Sequence, residues 1–118
     1  MIPVEIADDE AERRQGLSDL ESLPREKGML FVMARREVVS FWMKDMHFPL
    51  DIVWIADGKV VGVSENLAPE GSTPQRSYSS IVPVDHVLEL NAGVVKEMGI
   101  NVGNVVKLYI IVTEISVS

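Results

Sequence analysis

The stretch from Ser40 to Trp54, Ser-Phe-Trp-Met-Lys-Asp-Met-His-Phe-Pro-Leu-Asp-Ile-Val-Trp, is the densest run of large apolar side chains in the chain. Such a run must be buried. Lys44, Asp45 and Asp51 sit inside it, and a buried charge is costly unless it is paired and hydrogen-bonded. The stretch therefore reads as two short hydrophobic segments flanking a polar corner at Pro49. The rest of the chain is what covers those segments and what meets those charges.

The chain has 118 residues, a formal net charge of −7 and no cysteine. That length suits one domain, residues 1–118, around one core. Without cysteine there are no disulfides, no thiolate metal sites and no cysteine nucleophile. The acidic balance argues against nucleic acid as a partner, because phosphate backbones are held by clustered Lys and Arg. Only Arg13-Arg14 and Arg35-Arg36 are adjacent basic pairs. No stretch reaches the roughly 18 apolar residues that span a bilayer. Met1 to Asp8 lacks a basic region followed by an apolar one, so no signal peptide is read. The expected location is cytoplasmic for the chain as it stands, with export open if a leader was removed. Oligomeric state is not legible.

Along the chain, Pro3 to Ala7 predicts a short edge strand. Asp9 predicts an N-cap, with Glu12 completing a capping-box-like pair and Gly16 stopping the helix. Leu17, Leu20 and Leu23 predict a further helical or 3₁₀ turn. Met29 to Met33 reads as a strand buried on both faces. Ala34 to Glu37 reads as a polar turn joining it in a hairpin to a strand from Val38 to Met43. Leu50 to Ala56 and Val60 to Ser64 flank Asp57-Gly58, a type I′ hairpin signal. Glu65 to Ser77, with Pro69, Gly71 and Pro74, predicts a surface loop bordering a cleft. Val84 to Leu90 predicts a strand interrupted by charge at Asp85 and Glu89. Asn91 predicts the cap of a short helix ended by Gly99, with Ile100 packing after a Schellman turn. Val105 to Val117 predicts a long β-branched strand.

These signals amount to about seven strands and two short helices. The fold class is mainly β with two short helices (α+β), expected as a strongly curved, mainly antiparallel sheet or a small β-barrel.

A set of residues also carries a family resemblance. In order they are Arg14-Gln-Gly16-Leu17, Gly28-Met-Leu-Phe31, Phe41-Trp-Met-Lys44, Pro49-Leu-Asp51-Ile52, Tyr78, Val87-Leu-Glu-Leu90, Ala92-Gly93 and Gly99-Ile100 with Gly103. The pattern resembles domain of unknown function 192, a small, uncharacterised bacterial and archaeal family, from Val4 to Leu108. The resemblance implies a compact β-rich domain, often exported or membrane-tethered in relatives, with no established activity. Ser18 stands where relatives usually have Met, and Asn104 where they usually have Asp, so the resemblance carries no acid or metal role to Asn104.

Lys44, Asp51 and Glu89 are charges embedded in or beside buried strands. Two carboxylates and a cation around a cleft suit acid–base work or the grip of a polar ligand. The same groups serve equally as a buried charge network that fixes register. Arg14 is a fourth candidate, read otherwise as a solvated helix residue. Trp42 and Tyr78 offer a stacking surface, with Trp54 beside them; aromatics in strands are more often core. His47 and His86 have no metal-ligand spacing. Gly99 to Gly103 follows a helix and offers no phosphate loop. The expectation is a small polar or sugar-like ligand bound in one cleft by Lys44, Asp51, Glu89, Trp42, Tyr78 and Arg14, with no cofactor and no metal. One alternative is a hydrolase using Asp51 and Glu89 on a sugar or cell-envelope component. The other is a non-catalytic interaction module.

Overall fold

The structure is a computed structural model that describes residues 1–110, 116 and 117. Its elements are β1 (Val4–Ala7), α1 (Glu10–Gln15), β2 (Gly28–Glu37), β3 (Ser40–Phe41), β4 (Leu50–Ala56), β5 (Lys59–Leu67), β6 (Tyr78–Ser79), β7 (Val84–Asn91) and α2 (Val94–Met98). The fold is mainly β with two short helices. Five strands form one mixed sheet in the order β1-β2-β7-β4-β5, and β3 pairs with β6 in a second, two-stranded sheet. β1 runs parallel to β2 and every other pairing is antiparallel. Among the described residues β1 and β5 are the two ends of the larger sheet.

Several elements follow directly from their residues. The Asp9 carboxylate accepts from the Glu12 N–H at 2.7 Å and so caps α1, while the Glu12 side chain returns to the Asp8 N–H. The hairpin between β4 and β5 turns on Asp57 (φ 52) and Gly58 (φ 70), both left-handed, as a type I′ turn requires. Gly99 closes α2 in a Schellman motif: its N–H reaches the Lys96 carbonyl and the Ile100 N–H reaches Val95 at 2.9 Å. Ile100 then packs on the apolar cluster beside the helix.

Other elements depart from the sequence reading. β2 continues through Ala34 to Glu37, with Glu37 opposite Val84 after an irregularity, so no polar turn forms there. The expected hairpin between this strand and the next is absent, because β2 spends its edges on β1 and β7. Of the strand expected from Val38 to Met43 only Ser40–Phe41 pairs, and with β6. Asp85 and Glu89 do not interrupt β7, since backbone pairing is indifferent to a charge that has a face to occupy. Leu17 to Asp19 form a turn and Leu20 to Leu23 are irregular, so no further helical turn forms. Asn91 ends β7 instead of capping α2, and its amide donates to the Leu23 carbonyl at 2.8 Å. Val105 makes an isolated bridge to Lys59, and Lys107 to Ile110 hold no strand; the rest of the predicted C-terminal strand lies largely outside the described residues.

The larger sheet carries apolar residues on both faces. Leu50, Ile52, Trp54 and Ala56 of β4 join Met29, Phe31, Val87 and the Met43–Phe48 segment on one side. Val53, Ile55, Leu90 and Val60 meet Val94 and Val95 of α2 on the other. β4 is thus the strand buried throughout, whereas β2 is buried only at its start.

Gly58→Val should destabilise the chain by about 1–2 kcal/mol, because a β-branched residue pays for left-handed φ. Space is not the limit there: the nearest contact of an added Cβ is the Val106 carbonyl at 3.6 Å. Chemical denaturation of the variant beside wild type measures the difference, and equal midpoints would refute the turn assignment.

Candidate functional site

Strand register separates the two carboxylates that the sequence placed together. Asp51 pairs with Leu90, and Ile52 pairs with Glu89. Directly paired residues share a face and neighbours alternate, so Asp51 and Glu89 point to opposite faces of the sheet. Asp51 lies on the α2 side and is fully buried. Glu89 lies on the side of Ile52 and Met29. The expected convergence of the pair around Lys44 does not form.

Asp51 is fully occupied by backbone. Its Oδ1 accepts from the Asn66 N–H at 2.8 Å, and its Oδ2 accepts from Gly93 at 2.9 Å and Val95 at 3.0 Å. The N-cap of α2 is Gly93, which has no side chain to offer, so Asp51 caps the helix from a neighbouring strand. These contacts tie β4 to β5 and α2, and Asp51 does not line the cleft described next.

Glu89 is the contrasting case. Only 7% of its surface is exposed, and its carboxyl has no hydrogen-bond or ion-pair partner among the described residues. It lines a cleft of about 300 Å³. Arg14, Trp42 and Lys44 line the same cleft. Four of the six expected residues are therefore brought together. Tyr78 is not among the cleft-lining residues; it pairs with Phe41 and packs against the core.

The cleft is built from pieces without regular structure. After Phe41 the chain leaves the sheet, and Asp45 adopts φ 57. The Asp19 N–H donates to the Asp45 carbonyl at 2.9 Å, and the Asp45 N–H donates to Gly71 at 2.8 Å. The Glu70 N–H reaches the Met43 carbonyl at 3.2 Å. The Pro- and Gly-rich loop after β5 thus braces the segment that carries Trp42, Lys44 and Asp45. Phe31 and Phe41, with ring centroids 5.1 Å apart, supply the apolar wall. Phe41 stacks in turn on Trp54 at 5.9 Å. Trp54 is core, its indole N–H donating to Ser64 Oγ at 3.1 Å. The C-terminal end of α1 closes the cleft. A Cβ on Gly16 (φ 51) would lie 3.2 Å from the Phe31 ring, so glycine lets the helix end sit on that wall.

Trp42 is 59% exposed, with Lys44 Nζ 5.4 Å from its ring centroid. Lys44 has no ion-pair partner among the described residues. Arg14 pairs with Glu10 at 3.0 Å on the exposed face of α1. Burial pushes the Glu89 carboxyl up from its ordinary value of 4.5 to about 8, so it is protonated at neutral pH. A neutral carboxyl donates as well as accepts a hydrogen bond. Arg13, Asp45 and Phe41 were not among the expected site residues. Their positions depend on the irregular segment and the helix end, for which periodicity holds no signal. The acidic group Asp8, Asp9 and Glu12 is exposed, and Asp9 and Glu12 are engaged at the α1 cap. A second, larger groove of about 600 Å³ lies between β5 and the end of α2, and its charged residues Glu65 and Lys96 are exposed.

The model of the domain of unknown function 192 family, described as "Uncharacterized ACR", matches residues 1–108. The chain belongs to this family. No significant match was found among curated proteins. A Sinorhizobium meliloti 1021 crystal structure, described as a "putative transcription regulator", is similar at TM-score 0.79 and 40% identity, covering 85% of this chain and 76% of that one. The crystal structure of a protein of unknown function from Novosphingobium aromaticivorans DSM 12444 is similar at TM-score 0.83 and 31% identity, covering 91% and 75%. No helix among the described residues is long and apolar enough to cross a membrane.

Two predictions separate the carboxylates. Asp51→Ala should cost about 3 kcal/mol or more in a thermal or chemical melt, because three backbone donors lose their acceptor. A melt like that of wild type would remove Asp51 from its structural role. Glu89 predicts a pH effect of a particular sign. Its folded pKa lies above its unfolded one, so the native state holds the extra proton between about 4.5 and about 8. Burial of Glu89 therefore carries no ionisation penalty below that window. The cost grows by on the order of 1 kcal/mol per pH unit as pH rises through it, and is complete above it. Glu89→Gln should gain stability on wild type over that range, and parallel stability–pH curves would refute the assignment.

Proposed function

We propose that the cleft beside Glu89 binds a small polar, sugar-like ligand without a cofactor. The observation that carries this reading is Glu89 itself, a residue more than nine-tenths buried whose carboxyl has no protein partner among the described residues and lines a cleft. A carboxyl that burial disfavours from ionising, and that faces a cleft instead of a protein partner, marks a candidate for ligand contact. An exposed tryptophan beside it offers a ring face to a sugar, and the volume lies at the lower end of ligand pockets.

The hydrolase alternative draws no support from Asp51 and Glu89. Paired-carboxylate hydrolysis needs both groups across one cleft, and these two occupy opposite faces. A role in transcription, as named for the Sinorhizobium protein, would have to work other than by phosphate-backbone binding, given a net charge of −7.

Tryptophan emission tests the reading, because the chain has two tryptophans and only Trp42 is exposed. Titration with a panel of neutral and acidic monosaccharides should shift the emission to the blue for at least one of them. Trp42→Phe should abolish that response, and Glu89→Ala should weaken binding by about tenfold. If no sugar alters the emission or the amide resonances around Lys44 and Glu89, the reading fails.

A further inference from the structure

The cleft is electrically unlike the rest of the chain. The protein carries a net charge of −7, yet Arg13, Arg14 and Lys44 line the cleft, with Asp45 the one acidic residue there besides Glu89. The three cations differ in how far they are already spent. Arg13 donates to the Asp8 carbonyl at 2.8 Å and to the Val32 carbonyl at 3.0 Å, which fixes it to the framework. Arg14 holds an exposed helix-face partner, a pairing of little worth. Lys44 is half-buried and has no anionic partner among the described residues. Its ammonium stands over the Trp42 ring. A half-buried ammonium without an anionic partner is placed to meet an anion on its side away from the electron-rich ring.

The remaining groups narrow the anion. Glu89, at the buried end of the cleft, can both donate to and accept from a hydroxyl. α1 contributes its C-terminal end, Arg14 to Gly16, so the cleft receives the negative end of a helix. The carbonyls of that end can accept hydrogen bonds from ligand hydroxyls. The volume of about 300 Å³ holds one ring rather than a chain of them. One negative charge, several hydroxyls and one ring with an apolar face describe a hexuronic acid.

We propose that the cleft binds a hexuronate, its carboxylate beside Lys44, a ring face on Trp42 and a hydroxyl on Glu89. This rests on the reading of the cleft as a ligand site. Three probes separate the two ideas: D-glucuronate, D-glucose with the same ring but no charge, and acetate with the charge but no ring. Each is titrated into the full chain and followed by Trp42 emission and by amide resonances.

Glucuronate should bind at least about tenfold more tightly than either control. Lys44→Met should remove that advantage while leaving the weak response to glucose. Ionisation of Glu89 adds a negative charge to the cleft, where it faces Arg13, Arg14, Lys44 and Asp45. Wild-type affinity for glucuronate should therefore fall as pH rises through about 8, and Glu89→Gln should flatten that fall. Glucose binding as tightly as glucuronate, or Lys44→Met without effect, overturns the acidic ligand and leaves the cleft reading standing. Silence of the cleft reporters toward every sugar overturns both.

Discussion

The Asp51 carboxylate holds three separate pieces of backbone at once. It takes the Asn66 N–H from β5 and the Gly93 and Val95 N–H groups from the start of α2. α2 is five residues long, too short to persist as an isolated helix. Its existence therefore depends on tertiary contacts. Val94 and Val95 bury their side chains on the sheet while Asp51 satisfies the backbone donors that a helix start leaves open. The irregularity in β4–β5 pairing between Leu50 and Ile52 belongs to the same arrangement, since it brings the Asn66 N–H to Asp51. Without that acceptor, the second apolar cluster would lose its cover.

Glu89 sits one register step away and has the opposite fate. Met29 and Ile52 are its paired neighbours across β2 and β4, and neither offers a hydrogen bond from its side chain. The same strand chemistry that gives Asp51 three donors gives Glu89 none, because the covering layer differs from face to face. On the Asp51 side the layer is a helix N-terminus, which presents N–H groups. On the Glu89 side it is an irregular segment and a helix C-terminus, which leave a cleft. One carboxylate closes the structure and the other faces a cleft.

The cleft wall depends on long-range backbone bonds rather than on regular elements. Asp45 is held between Asp19 and Gly71, and Met43 is tied to Glu70. The loop rich in Pro and Gly thus acts through its backbone, fixing the strip that presents Trp42 and Lys44. Phe41 links that strip to the core through Phe31 on one side and Trp54 on the other.

The sequence by itself determined the local features whose causes are local. The Asp9 cap, the Asp57-Gly58 turn, the Gly99 stop and the apolar run of β4 all follow from side-chain chemistry or φ preference within a few residues. It also marked Lys44, Trp42, Arg14 and Glu89 as residues out of place in their surroundings, and these four share one cleft. It misread pairing. Arg35, Arg36 and Glu37 look like a turn because they are polar, yet they extend a strand whose partners lie far along the chain. Which face Asp51 and Glu89 occupy was likewise a tertiary decision. Each alternation is visible along its own strand, but the relation between the two depends on register, and a shift of one residue would exchange the faces. Register is set by the fit of both apolar layers together, and that fit exists only once the whole sheet has formed.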